Sequence, residues 1–142
     1  MRCLLDTNVL SELRKGDRTD ASVATWFGSV PGSDVYLSVV VLGEVRKGIE
    51  GARRRDPRAA EALDRWLAAV ISGHAGRILP VDQAVADLWG RLNVPDPMPT
   101  IDGLLAATAL VHDMTLVTRN TKDVARSGVA LLNPFEARQT LI

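Results

Sequence analysis

The sequence predicts an α/β sandwich, a single domain with a mostly parallel central sheet, and three observations carry that prediction. Apolar runs of strand length alternate with segments of helical periodicity along the whole chain. Few of these runs are joined by turns of hairpin length, so successive strands must be linked by crossovers. The first run, Arg2 to Leu5, shows no polar alternation, which is the pattern of a strand covered on both faces. No internal repeat, low-complexity stretch or linker divides the 142 residues, a length that suits one domain.

Each element follows from local signals. Asp6 ends the first strand, and Thr7 to Arg14 reads as a short helix that Lys15-Gly16-Asp17 breaks. Ala21 to Phe27 reads as a second helix, with Val23, Trp26 and Phe27 on one side. Pro31-Gly32-Ser33-Asp34 is loop chemistry, and Val35 to Leu37 forms a second strand. Ser38 caps a helix from Val40 to Gly51, whose Leu42, Val45 and Ile49 line one face. After the charged break Arg53-Arg54-Arg55-Asp56, Pro57 suits the first turn of a long helix reaching Ser72. In it Ala60, Leu63, Leu67 and Val70 recur at helical spacing, and Gly73 and Gly76 stop it. Ile78 to Val81 is a third strand, and Asp82 caps a helix through Leu92. Pro95, Pro97 and Pro99 hold a non-helical loop before a helix from Ile101 to His112. Leu116-Val117 is the core of a fourth strand, Val129 to Leu132 a fifth, and Pro134 opens a short terminal helix.

Composition narrows the function classes. Apolar residues at 46% and charged residues at 24% exclude a disordered tail, a collagen-like repeat and a dense disulfide scaffold. Lys and Arg number 17 and Asp and Glu also 17, so the formal net charge is zero. No bulk positive field draws this chain onto nucleic acid, and any such contact needs a local patch. The single cysteine, Cys3, sits beside Leu4 and Leu5 and reads as a small core residue. One thiol makes neither an internal disulfide nor a cysteine-rich zinc site, and a reducing compartment fits. No apolar run approaches the ~18 residues of a membrane span. Asp6, Glu12 and Arg14 interrupt the apolar core a signal peptide needs. A cytoplasmic location is expected.

In open parallel sheets, ligands bind beyond the carboxyl ends of the strands. Asp6 follows the first strand, Glu44 lies in the helix after the second, Asp102 opens the Ile101 helix and Asp123 follows the fourth strand. Singly, each has a structural explanation: a helix cap, a solvated helix glutamate, a complement to the helix dipole and a loop aspartate. Jointly they point to a cation, because several carboxylates in one cleft repel unless positive charge is held among them. Oxygen ligands without Cys or His suit Mg²⁺ or Mn²⁺, and such ions activate water and stabilise displacement at phosphorus. His74, in a loop flanked by glycines, and His112, at a helix end, read as surface or terminal helix residues rather than ligands.

The stretch Leu4-Leu5-Asp6-Thr7-Asn8-Val9-Leu10-Ser11-Glu12-Leu13 resembles the opening of PIN-domain ribonucleases, and more narrowly of the VapC/FitB-type toxins of prokaryotic toxin–antitoxin pairs. Three further segments match in order. Leu42-Gly43-Glu44-Val45-Arg46-Lys47-Gly48 resembles the second acidic motif, and Asp102-Gly103-Leu104-Leu105-Ala106-Ala107-Thr108-Ala109 the third. Leu116-Val117-Thr118-Arg119-Asn120 with Asp123 resembles the fourth. The resemblance implies that residues 1–142 form one PIN domain. It implies an Mg²⁺- or Mn²⁺-dependent endoribonuclease toxin with Asp6, Glu44, Asp102 and a fourth group as its catalytic and metal-holding residues. Some relatives place an aspartate where this chain has Asn120, and others use an acid three residues later. Either Asp123 supplies the fourth acid, or Asn120 supplies a neutral ligand. Thr7 and Thr118 are expected to orient the carboxylates through their hydroxyls.

The resemblance also implies an RNA substrate, a cognate antitoxin and a homodimer, with apolar parts of the Val40 and Pro57 helices as the self-association surface. Arg46 and Lys47, within a turn of Glu44, are the candidates for holding RNA phosphates, and the same basic surface suits an acidic antitoxin segment. The aromatic residues fall mostly at core spacing and do not suggest a base-stacking platform. Three other readings compete. A haloacid-dehalogenase-type phosphatase expects a second acid where Asn8 stands, and its later lysine finds only Lys122 as a candidate. A phosphoacceptor receiver domain expects paired acids after the first strand, and these are absent from the sequence. A non-catalytic PIN-fold binding module expects a degenerate acidic set, of which Asn120 is the one hint.

Overall fold

A computed structural model of the chain describes residues 1–136. Among the described residues, five strands form one sheet in the order β3-β2-β1-β4-β5, with every pairing parallel. At its centre β1 (Cys3–Leu5) is buried throughout, as its unbroken apolar run requires. Cys3 and Leu4 face Val35 and Tyr36 of β2 (Val35–Ser38) on one side. On the other side Cys3, Leu4 and Leu5 face Thr115, Leu116 and Val117 of β4 (Thr115–Val117). The outer strands are short: β3 (Ile78–Leu79) pairs with β2, and β5 (Leu131–Leu132) with β4.

This order has a direct consequence for function. From β1 the chain moves outward through β2 to β3, then returns across the sheet to β4 and β5 on the other side. Right-handed crossovers put the helices of the two wings on opposite faces. The crevice where the direction reverses lies between β1 and β4, the place where such sheets receive ligands.

The connecting helices begin where a side chain can accept their free N–H groups. Asp6 caps α1 (Thr7–Leu13), and Asp20 caps α2 (Ala21–Gly28). Ser38 accepts from Val40 N at 3.1 Å to start α3 (Val39–Arg53). Asp56 accepts from Ala59 N at 3.1 Å to start α4 (Pro57–Gly73), with Pro57 in the first turn as expected. Asp82 accepts from Val85 N at 3.0 Å ahead of α5 (Gln83–Leu92). The remaining helices are α6 (Thr100–Val111) and the one-turn α7 (Thr121–Val124). Val41, Val45 and Ile49 carry the buried stripe of α3, while Leu42, expected in it, is half-buried. In α4, Ala60 and Leu67 are buried, and Leu63 and Val70 pack at the margin of the core.

Four expectations are corrected. The third strand stops at Leu79 rather than Val81, because Pro80 has no N–H to continue the ladder and Val81 is exposed. Phe27 does not join Val23 and Trp26 in the core but is exposed at the end of α2. The segment 119–123, expected as a loop, closes into α7 from Thr121 onward. Residues 134–136 form a turn, and the rest of the terminal helix expected from Pro134 lies outside the described residues. No helix among the described residues is long and apolar enough to cross a membrane.

Candidate active site

The carboxyl end of β1 delivers Asp6 into the crevice. Its backbone N–H continues the ladder to Val117 O at 2.9 Å, which fixes the main chain before the side chain turns into the cleft. Oδ1 accepts from Thr7 N at 2.6 Å, the capping bond of α1. Oδ2 accepts from Thr118 Oγ1 at 2.6 Å and from Asn8 Nδ2 at 3.2 Å. Three donors thus hold a carboxylate that is 4% exposed. Burial still dominates and pushes its pKa up, Glu44 adds to the rise, and the bonds from Thr118, Thr7 and Asn8 oppose it.

Glu44 comes from the second turn of α3, half-buried beside the apolar stripe. Its Oε1 accepts from Thr7 Oγ1 at 2.5 Å. Thr7 therefore serves two acids at once, Asp6 through its backbone and Glu44 through its hydroxyl. Thr118 also works twice, donating to Asp6 and accepting from Asn120 N at 3.0 Å. That second bond sets the start of α7, which carries the exposed Asp123. Asn120 enters this arrangement through its main chain.

Asp102 stands in the first turn of α6, where the helix dipole favours a negative charge. Its pKa is nevertheless pushed up to about 6, first by burial and then by the charges of Asp6, Asp123 and Glu44. The charges of the other three sequence-predicted acids thus reach Asp102, and that of Glu44 reaches Asp6. Gly103 shapes the approach of this turn to α5: a Cβ there would meet Trp89 Nε1 at 3.2 Å and Cδ1 at 3.3 Å.

Among the described residues, no group of three or more His, Cys, Asp or Glu side chains is already gathered closely enough to hold a metal ion. Uncompensated carboxylates repel, and that repulsion adds to burial in the rise at Asp102. An oxygen-only set of this kind fits a hard divalent cation, whose charge would reverse the shift. The histidines lie elsewhere, as expected. His74 Nδ1 is 2.7 Å from Val70 O at the end of α4, and His112 caps the end of α6.

The basic candidates have a different surrounding. Arg46 Nη1 bonds Asp64 Oδ1 of α4 at 2.6 Å and Glu50 at 3.3 Å, and Arg53 bonds the same two acids. Arg46 thereby joins α3 to α4, while Lys47 is exposed. Asn8 joins the site without having been expected there. Its Nδ2 donates to Asp6 and its Oδ1 accepts from Arg119 N at 3.2 Å, stitching the ends of β1 and β4 together. Its place two residues after the first acid was the available signal.

Comparison with known proteins identifies the family and the fold. The PIN domain family profile matches residues 3–127. Toxin FitB of Neisseria gonorrhoeae is 34% identical over 138 residues, covering 93% of this chain and 97% of the relative. VapC ribonuclease Y4jK of Sinorhizobium fredii is 33% identical over 138 residues, covering 94% and 97%. Among solved structures, FitAB bound to an IR36 DNA fragment superposes with a TM-score of 0.85 at 32% identity, over 96% of this chain and 98% of that one.

Proposed function

We propose, from the premise that this chain belongs to the PIN-domain family, that it is a divalent-metal-dependent endoribonuclease acting as the toxin of a toxin–antitoxin pair. The observation that supports this most is that Thr7 holds both Asp6 and Glu44 while Thr118, from beyond β4, donates to Asp6 at 2.6 Å, with Asp102 close enough to feel the charges of Asp6, Asp123 and Glu44. Those acids would hold Mg²⁺ or Mn²⁺, with Thr7, Thr118 and Asn120 supporting them. When bound, such an ion lowers the pKa of water and offsets charge building up on a phosphate under attack.

The chain's own residues set the conditions for that chemistry. Thr118, Asn8 and the Thr7 N–H fix both oxygens of Asp6, so little reorganisation is left for the reaction. Thr7 Oγ1 holds Glu44 in the same way. Hydrolysis joins the water oxygen to phosphorus, breaks the P–O3′ bond and passes a proton to the departing oxygen. The fragments then carry 5′-phosphate and 3′-hydroxyl ends.

Relatives named as a toxin and as a VapC ribonuclease support the toxin role. The FitAB complex supports an antitoxin partner, and a homodimer in the cytoplasm completes this reading. Lys47 remains an RNA-contact candidate, and Arg46 contributes through the α3–α4 link. The test is RNA cleavage by the purified chain: it should proceed with Mg²⁺ and stop on adding EDTA, and cleavage that persists in EDTA counts against the reading.

A further inference from the structure

The acid cluster must receive a polyanion on the reading above, so a cation is needed beside it to hold the strand. We propose that Arg119 is that cation and that it binds an RNA phosphate flanking the one that is cleaved, an inference that rests on the ribonuclease reading. Arg119 follows Thr118 directly, whose hydroxyl donates to Asp6 at 2.6 Å, so its main chain lies at the lip of the cleft. Its backbone N–H is fixed by Asn8 Oδ1 at 3.2 Å. The side chain is exposed, yet its guanidinium lies over the Phe135 ring, 3.6 Å from the centroid.

That stacking covers one face of the planar group and leaves its in-plane N–H donors clear of the ring, the donors that grip a phosphate as a fork. Among the described residues no carboxylate comes within ion-pair distance of Arg119, whereas Arg46, Arg53, Arg91 and Arg126 each have one. Glu12 feels the charge of Arg119. Its own oxygens, however, already accept from Lys15 Nζ and from Asp20 N, each at 3.0 Å. The charges acting on Asp102 are Asp6, Asp123 and Glu44, all acidic. Asn8 bridges Arg119 and the cluster, accepting from Arg119 N and donating to Asp6, so Arg119 is set beside the cluster, which is the placing of a contact to a neighbouring phosphate. On the ribonuclease reading the strand must bring a phosphate to these acids, so RNA is taken as the occupant and an acidic protein segment is left as an outcome of the test.

The test uses the full chain and a short single-stranded RNA of mixed sequence. Binding is measured across a salt series in an Asp6→Asn background, and cleavage in the wild-type background. Arg119→Gln should weaken binding and make the slope of log Kd against log salt shallower by about 0.7, the share of one phosphate on a single strand. In cleavage it should raise KM several-fold with kcat nearly unchanged, because a flanking contact acts alike in ground and transition states. Arg119→Lys should restore the slope but only part of the affinity, and Phe135→Leu should weaken binding less than Arg119→Gln does. If wild type cleaves RNA but Arg119→Gln leaves affinity and slope unchanged, Arg119 is not the phosphate contact and the ribonuclease reading stands. If Arg119→Gln weakens only the capture of polyglutamate, the site serves an acidic protein segment and the proposal fails. A wild-type chain that neither binds nor cleaves RNA overturns both readings.

Discussion

Asp102 combines burial with the charges of its acidic neighbours. Its pKa in the fold is pushed up to about 6, above the ordinary aspartate value of about 3.9. Between those values the folded state binds a proton that the unfolded state does not, so the cation-free protein loses stability as pH rises from about 4 to about 6. Asp102→Asn removes that penalty. In urea unfolding with EDTA it should stabilise the protein by about 1 kcal/mol at neutral pH, allowing for solvent screening at a half-buried group. The gain should vanish near pH 4, and a variant less stable than wild type at neutral pH would contradict this electrostatic account. Asp123 and Asn120 divide the fourth position differently: Asn120 contributes its main chain, while Asp123 adds charge at the cleft. Magnesium titration should find Asp123→Asn weaker in binding and slower in cleavage than Asn120→Ala. The reverse order would make the site a three-carboxylate one assisted by an amide. Three candidate acids stand out in the sequence because they follow a strand end or open a helix, and Glu44 because it lies just past the second strand. Asn8 was marked only by its place two residues after Asp6, because its function is a bond across 111 residues to Arg119.

Among the elements, α6 is placed by a contact that no periodicity announces. Gly103 lets Trp89 of α5 come against the first turn of α6, the turn that carries Asp102. Gly103→Ala would gain up to about 1 kcal/mol of helix propensity, but its Cβ would crowd the indole by a few tenths of an ångström. The melting temperature should therefore change little. Cleavage should fall several-fold, since small misplacements at a reacting centre are costly, and wild-type activity would show that this close approach does not position Asp102. Helix starts were legible wherever an Asp or Ser precedes the first turn, as at Asp6, Ser38, Asp56 and Asp82. Short elements were not. The one-turn α7 has no side-chain cap of its own and is begun by Thr118, a residue of the preceding segment. The basic run around Arg46 also gained its meaning only from packing, when Asp64 of α4 came opposite Arg46 and Arg53.

For the whole molecule, the alternation of apolar runs and helices was enough to foretell a parallel sheet, because each short crossover leaves few topologies. The strand order was not legible, and it is the strand order that brings Asp6 and Thr118 side by side from positions 112 residues apart. A formal charge of zero conceals a sharp local contrast: an acid cluster at the crevice, with Arg119 stacked on Phe135 at its lip. On the proposed reading this acid cluster makes the chain catalytic rather than a binding module on the same fold. The measurement that tests this most directly is the end chemistry of RNA fragments released in Mg²⁺, compared between wild type and Asp6→Asn. The account predicts 5′-phosphate and 3′-hydroxyl ends from wild type, and no cleavage by an Asp6→Asn chain that unfolds like wild type. Fragments ending in 2′,3′-cyclic phosphate, or undiminished cleavage by Asp6→Asn, would contradict it.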